Sequence, residues 1–349
     1  MQVFHRVVRA FRRIWMKVQG LAGGILAAMR DTRTGSCGAT VKAMALAVRF
    51  AVGSFLSGVL VLCGCAGGRA TSIACPITAA PDVSAAGHAG QASPLVIGET
   101  FTMRSAVMGE ERVVNVYVPT NYGEPFEGPL PVLYVLDGGL NEDFLHVAGL
   151  VQVLSSNGGM RPHVVVGIPN TVRRRDMTGP TSVAEDLKIA PVVGGSAAFR
   201  EFLTRELVPE VRARYRVSGE SAIVGESLAG LFVMETFFLK PDAFGTFIAI
   251  DPSLWWADKE LLTKAEARLA AREAGAGGGA AHRFTVFMAA SSEETLAGDA
   301  ASMARVLGGH SAVVRSVFVP MEKETHATIY HPAALAAFRA VLGPSGSGK

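Results

Sequence analysis

The segment Gly225-Glu226-Ser227-Leu228-Ala229-Gly230 places a serine between the apolar run Ser221 to Val224 and a helical pattern reaching Leu239. On a tight strand-to-helix turn the serine hydroxyl stands clear of the backbone. Such a turn needs very small side chains two positions to either side, and Gly225 and Ala229 supply them. The start of the helix adds partial positive charge and unpaired N–H groups beside the hydroxyl. These features suit a nucleophile for acyl chemistry; the competing use of such a serine is a plain helix N-cap.

A serine hydroxyl is a weak nucleophile at neutral pH and requires a base. His326, in Glu322-Lys323-Glu324-Thr325-His326-Ala327-Thr328, lies beyond the last expected strand and before the last expected helix, giving the chain order serine, acid, histidine. His331 abuts Pro332 and reads as a helix-entry residue, while His146 and His163 read as packing or surface positions. The base in turn needs a carboxylate to hold its tautomer. Glu293 is the expected acid, with Glu294 beside it; Asp251, which ends the run Phe247 to Ile250, is the rival and could instead cap the turn at Pro252.

A developing oxyanion needs two N–H donors. Leu228 offers one, and the loop Asp137-Gly138-Gly139 offers the second through Gly138 or Gly139. Trp255 and Trp256 are candidates to wall a substrate pocket. Arg175, in the run Arg173-Arg174-Arg175-Asp176, is a candidate to bind an acidic or polyhydroxy substrate, a solvated charge run being the alternative.

The elements that must position these residues read as an α/β fold. Runs at Glu99 to Met108 and Arg112 to Val118 suggest an opening antiparallel hairpin. Unalternating apolar runs follow at 131–136, 163–168, 221–224, 247–250, 284–289 and 313–319, as expected of strands buried on both faces. Between them lie helical patterns at 143–154, 197–214, 228–239, 259–272, 300–307 and 332–342. Strand-helix alternation implies a mainly parallel sheet covered by helices on both faces, with its active site at the C-terminal strand ends. Gly275 to Ala281 reads as an exposed insertion.

The amino-terminal part has a different character. Residues 1–64 carry nine Arg or Lys against the single acid Asp31; with the whole chain at +3, residues 65–349 carry a formal −5. No basic groove for nucleic acid remains once that leader is set aside. Phe50 to Gly68 is 19 residues without a charge, preceded by Lys42 and Arg49 and ending in small residues, the order of an export signal. Leu62-Cys63-Gly64-Cys65 is similar to a bacterial lipobox, which makes Cys65 the expected lipidated mature N-terminus and the cell envelope the expected location. A transmembrane anchor is the other reading of this run. Met44 would start a signal of ordinary length, and Val3 to Val18 could form a basic amphipathic helix. Residues 65–94 read as a flexible tether, 95–343 as the catalytic domain and 344–349 as a tail. All four cysteines (Cys37, Cys63, Cys65, Cys75) precede the domain, which excludes a disulfide or thiolate metal site within it.

The body from about Leu95 to Leu342 resembles the α/β-hydrolase esterase family that contains enterochelin- and bacillibactin-type siderophore esterases, esterase D, feruloyl esterases and mycolyltransferases. The matching words are Pro131-Val132-Leu133-Tyr134-Val135-Leu136-Asp137-Gly138, Phe202 to Val211, Gly225 to Gly230, and Thr325-His326-Ala327. Two departures are Ala229, where the turn commonly has glycine, and Glu293-Glu294, where many relatives carry Asp. The short layout is most similar to the siderophore-esterase branch. The resemblance implies Ser-His chemistry on a small-molecule ester through an acyl-enzyme, without cofactor or metal. An acyltransferase of the same fold and a non-catalytic envelope binding protein are the alternative expectations.

Overall fold

The computed structural model describes residues 92–275 and 284–344. The expected export signal, the expected lipidation site at Cys65, the expected tether up to residue 91 and the tail from residue 345 lie outside the described residues.

The described residues open with β1 (Glu99–Arg104) and β2 (Glu111–Tyr117), an antiparallel hairpin in register from Glu99/Val116 to Arg104/Glu111. A two-residue ribbon, β3 (Thr120–Asn121) and β4 (Glu124–Pro125), follows. Strand β5 (Leu130–Leu136) leads to helix α1 (Phe144–Ser156), and β6 (Val164–Ile168) leads to two short helices, α2 (Arg173–Met177) and α3 (Ala184–Ile189). After α4 (Ser196–Glu201) and α5 (Val208–Arg214) come β7 (Val217–Glu226), α6 (Leu228–Leu239), β8 (Thr246–Ile250), α7 (Trp256–Thr263) and α8 (Ala265–Gly275). The chain closes with β9 (Phe284–Ala290), α9 (Glu294–Gly309), β10 (Val314–Pro320) and α10 (Tyr330–Val341).

Eight strands form one sheet in the order β1-β2-β6-β5-β7-β8-β9-β10. The hairpin and its join to β6 are antiparallel; every pairing from β6 to β10 is parallel. Every residue of β5 and β6 is buried, because parallel strands with helices on both faces have no wet side. Alternation along β5 divides its side chains between two layers: Tyr134 and Leu136 join Phe199, Phe232 and Phe247, while Leu133 and Val135 join Val147, Val151 and Phe338. Helix α6, behind the serine, is apolar nearly all round, as befits a helix packed into the centre of the fold.

One expected helix, over 197–214, is interrupted by a π-helical turn at Phe202–Leu207 between α4 and α5. Pro209 lies just beyond it and lacks the N–H that an α-helix would donate four residues back, so the wider turn accommodates the break. The pattern at 259–272 is two helices, α7 and α8. Helices α2 and α3 are too short and polar to leave an apolar period in the sequence.

Candidate active site

The parallel pairing aligns the carboxyl ends of β7 and β8, with Glu226 opposite Ile250. Ser227 follows Glu226 and takes φ 61° and ψ −121°, a conformation that side chains disfavour. Surrounding hydrogen bonds hold it there: Ser227 N–H donates to Ile250 O (3.0 Å), and Ser227 O accepts from Leu231 (2.9 Å) and Ser253 N–H (3.0 Å). The small neighbours are a steric requirement. A Cβ on Gly225 would lie 2.7 Å from the Ala229 methyl, and one on Gly230 would lie 3.0 Å from Ile250 O. Ala229 fits because the space beside it is left by Gly225.

His326 bridges the two strand ends. Its Nε2 is 3.1 Å from Ser227 Oγ and its Nδ1 is 2.7 Å from Asp251 Oδ2. The loop that carries it is tied down, since Met321 N–H donates to Ala290 O (2.8 Å) and both Ser292 N–H and its hydroxyl donate to Glu324 O (2.9 and 2.8 Å). Asp251 is fully buried; its other oxygen, Oδ1, accepts from Ser291 N–H (2.8 Å). Burial pushes its carboxyl up, but the hydrogen bonds from His326 and Ser291 outweigh that and leave it below the usual carboxylate value. His326 is raised above its ordinary value, chiefly by the hydrogen bond to Asp251 and against the effect of burial.

The acid expected at Glu293 is therefore corrected: the carboxylate on the imidazole is Asp251. Strand β8 directly neighbours β7, and a left-handed backbone at Asp251 (φ 45°) turns the chain at the strand end. Glu293 lies one strand further away as the exposed residue before α9 and reaches His326 only through its field. Glu294 opens α9, where a negative charge suits the helix dipole. The missed signal was the crossover: β8 follows α6 immediately, and a right-handed return places it beside β7.

On the other side of Ser227, at the end of β5, the expected oxyanion donors divide. Gly138 N–H continues the sheet by donating to Ile168 O (3.0 Å), so it is committed to structure and not to a ligand. Gly138 must be glycine, because a Cβ would lie 2.3 Å from Ile168 N. Gly139 N–H donates to Glu142 Oε2 (2.8 Å). Leu228 is the first residue of α6, where an N–H has no acceptor within the helix. Asp137, with φ 54°, is held by Arg173 through Nε (2.6 Å) and Nη2 (2.7 Å), and by Asn170.

Arg175, expected to face substrate, is instead tied to Glu110 and Asp176, each at 2.7 Å. Asp176 also pairs at 2.7 Å with Arg112, which is 1% exposed and lies over the rings of Phe199 and Phe202. That network pins helix α2, whose first residue is Arg173. Trp256 is buried with its indole N–H on Gly179 O (3.1 Å), a packing role; Trp255 is half-buried beside it. Arg173 was expected only as part of its charge run, and Asn170, Glu142, Ser253 and Ser291 were not singled out from the sequence, since their partners lie on other strand ends or across a turn.

Glu226 is a further titratable neighbour. Burial, reinforced by Asp143, Asp251 and Asp137 and opposed by His326, pushes its carboxyl to about 7, and its Oε1 has no hydrogen-bond partner. Among the described residues no group of three or more His, Cys, Asp or Glu is placed to hold a metal ion.

A strained serine between β7 and α6, with an aspartate at the end of the adjacent strand β8 and a histidine on the loop after β10, defines an α/β-hydrolase. A family model described as "Putative esterase" matches residues 105–315, and the chain belongs to that family. It is 29% identical over 195 residues to the ferri-bacillibactin esterase BesA of Bacillus subtilis, a match covering 51% of this chain and 67% of that protein. It is 32% identical over 189 residues to the siderophore triacetylfusarinine C esterase of Aspergillus fumigatus, covering 50% of this chain and 62% of that protein. The crystal structure of the BES protein from Bacillus cereus superposes with a TM-score of 0.62 at 25% identity, covering 72% of this chain and 97% of that one.

Proposed function

We propose that the chain is a serine-dependent carboxylic ester hydrolase. Ser227 Oγ attacks the ester carbonyl carbon as its proton passes to His326 Nε2. Asp251 accepts Nδ1–H, which leaves Nε2 bare to receive that proton and stabilises the imidazolium that forms. The tetrahedral oxyanion is met by Leu228 N–H and by the N–H at Gly139. On collapse the alcohol departs with the proton from Nε2, leaving the acyl group on Ser227. Water then attacks the acyl carbon, His326 takes a proton from it, and the acid leaves as that proton returns to Ser227.

The observation that carries this reading is the single imidazole within hydrogen-bonding reach of both Ser227 (3.1 Å) and Asp251 (2.7 Å). The likeness to BesA, a ferri-bacillibactin esterase, and to the Aspergillus triacetylfusarinine C esterase favours a siderophore-type ester as substrate. Chromatography of siderophore esters, beside p-nitrophenyl esters as general probes, tests both points. Cleavage by the wild type and its loss in Ser227→Ala supports the reading; equal cleavage by the variant contradicts it.

The charge order of residues 42–68 supports an exported, membrane-anchored protein lipidated at Cys65. Mass spectrometry of the membrane-extracted protein tests this, and an unmodified N-terminus well upstream of Cys65 contradicts it.

A further inference from the structure

The donor on the β5 side of Ser227 is already occupied by the protein itself. Strand β5 pairs with β7 up to Val135/Val224, so the loop after β5 leaves the sheet beside the end of β7 that leads to Ser227. Gly138 N–H is committed to Ile168 O on β6, which leaves Gly139 N–H as the loop donor assigned above to the oxyanion. On that N–H lies Glu142 Oε2, at 2.8 Å.

The contact has the form of a capping box, a carboxyl reaching back to the backbone N–H three residues earlier, and here that N–H is the one assigned to the oxyanion. Glu142 precedes Asp143, the N-cap of α1, so its side chain does not serve that helix. Its backbone N–H closes the turn to Gly139 O (3.0 Å) without the carboxyl, which reaches back over the turn and accepts from Asn170 Nδ2 (2.9 Å) through Oε1. Glu142 is exposed, so its side chain can swing into solvent without disturbing the core.

We propose that Glu142 gates the oxyanion hole: in the resting protein its carboxyl holds the second donor, and the substrate carbonyl must displace it before Ser227 is acylated. This rests on the reading of Ser227 as the acylated serine. The carboxyl stands in for the oxyanion, an anionic oxygen on the N–H that later receives another. Asn170, which also donates to Asp137, anchors the closed arm to the loop base. Leu228 N–H alone is left to a carbonyl that arrives while the arm is closed.

The test uses the purified full chain, a fluorophosphonate and p-nitrophenyl acetate, with Glu142→Ala and Glu142→Asp as variants. Aspartate keeps the charge on an arm one methylene too short to reach Gly139, so it also reports if the alanine variant folds poorly. Removing a charge-assisted internal competitor raises the second-order rate constant at Ser227 by roughly three- to tenfold in both assays. The gain falls in KM more than in kcat, with the melting temperature within about 2 °C of wild type. Unchanged rates, or rates that fall together with the melting temperature, overturn the gate and make Glu142 a structural side chain. Absence of labelling at Ser227 in wild type and variants alike overturns the serine reading, and the gate with it.

Discussion

The two flanks of Ser227 are built differently. Towards β8 and β9, the Asp251–His326 pair is set by backbone: strand ends in register, main-chain hydrogen bonds at Ser227, Asp251 and the His326 loop, and an aspartate with no exposure. Towards β5 and β6, main-chain bonds from Gly138 to Ile168 O and from Asp143 to Asp137 O fix the base of the loop carrying Gly139, and side chains add the rest of its hold, Arg173 and Asn170 on Asp137 and Glu142 on Gly139. Main-chain anchoring gives one geometry, whereas an exposed carboxylate such as Glu142 exchanges its partner with solvent and ligand at little cost. The proton-transfer half is thus rigid, and the oxyanion half is adjustable.

The rigid flank should fail hardest when altered. Asp251→Asn strands the imidazole in the wrong tautomer and should lower kcat by roughly 10³- to 10⁴-fold. Glu293→Gln, on the neighbouring strand end, should stay within about twofold. Steady-state kinetics on one p-nitrophenyl ester compares them, and similar losses would erase the distinction between the two acids.

The adjustable flank should show smaller effects. Arg173→Ala leaves Asp137 without its paired guanidinium and lets the oxyanion loop drift, a displacement expected to lower kcat/KM by about 10- to 100-fold. Circular dichroism should show the fold intact, and wild-type kcat/KM would mean that the ion pair does not hold the loop.

The mildest effect concerns pH. His326 acts as a base only when neutral, and Asp251 raises its pKa, so kcat/KM should fall as pH drops through a value above 6.5. Glu226 titrates at about 7 and, when ionised, adds to that rise. Glu226→Gln should therefore shift the acidic limb to lower pH, by less than about one unit. A shift to higher pH would contradict the placement of Glu226 beside the imidazole.

What the sequence disclosed follows the same division. Strands buried on both faces and an apolar helix behind the serine leave long unbroken patterns, so β5 to β10, α1 and α6 were readable. Ser227 was readable too, because a tight turn demands Gly225 and Ala229 at fixed offsets, and His326 because of its place after the last strand. Asp251 lost to Glu293 on an argument from strand ends alone; the choice depended on which strand adjoins β7, which periodicity does not encode. Arg173, Asn170 and Glu142 carry no local signature, and their partners lie on other strand ends or across a turn. Arg175 was singled out for its charge, but that charge is consumed by Glu110 and Asp176.

Ser253 offers a second hydroxyl 3.4 Å from Ser227 Oγ, so the location of a covalent adduct is the most direct test of the central assignment. After reaction with a fluorophosphonate, peptide mass spectrometry should place the adduct on Ser227 in the wild type and find none in His326→Ala. An adduct on Ser253, or equal labelling of Ser227 without the imidazole, would contradict a nucleophile at residue 227 activated by His326.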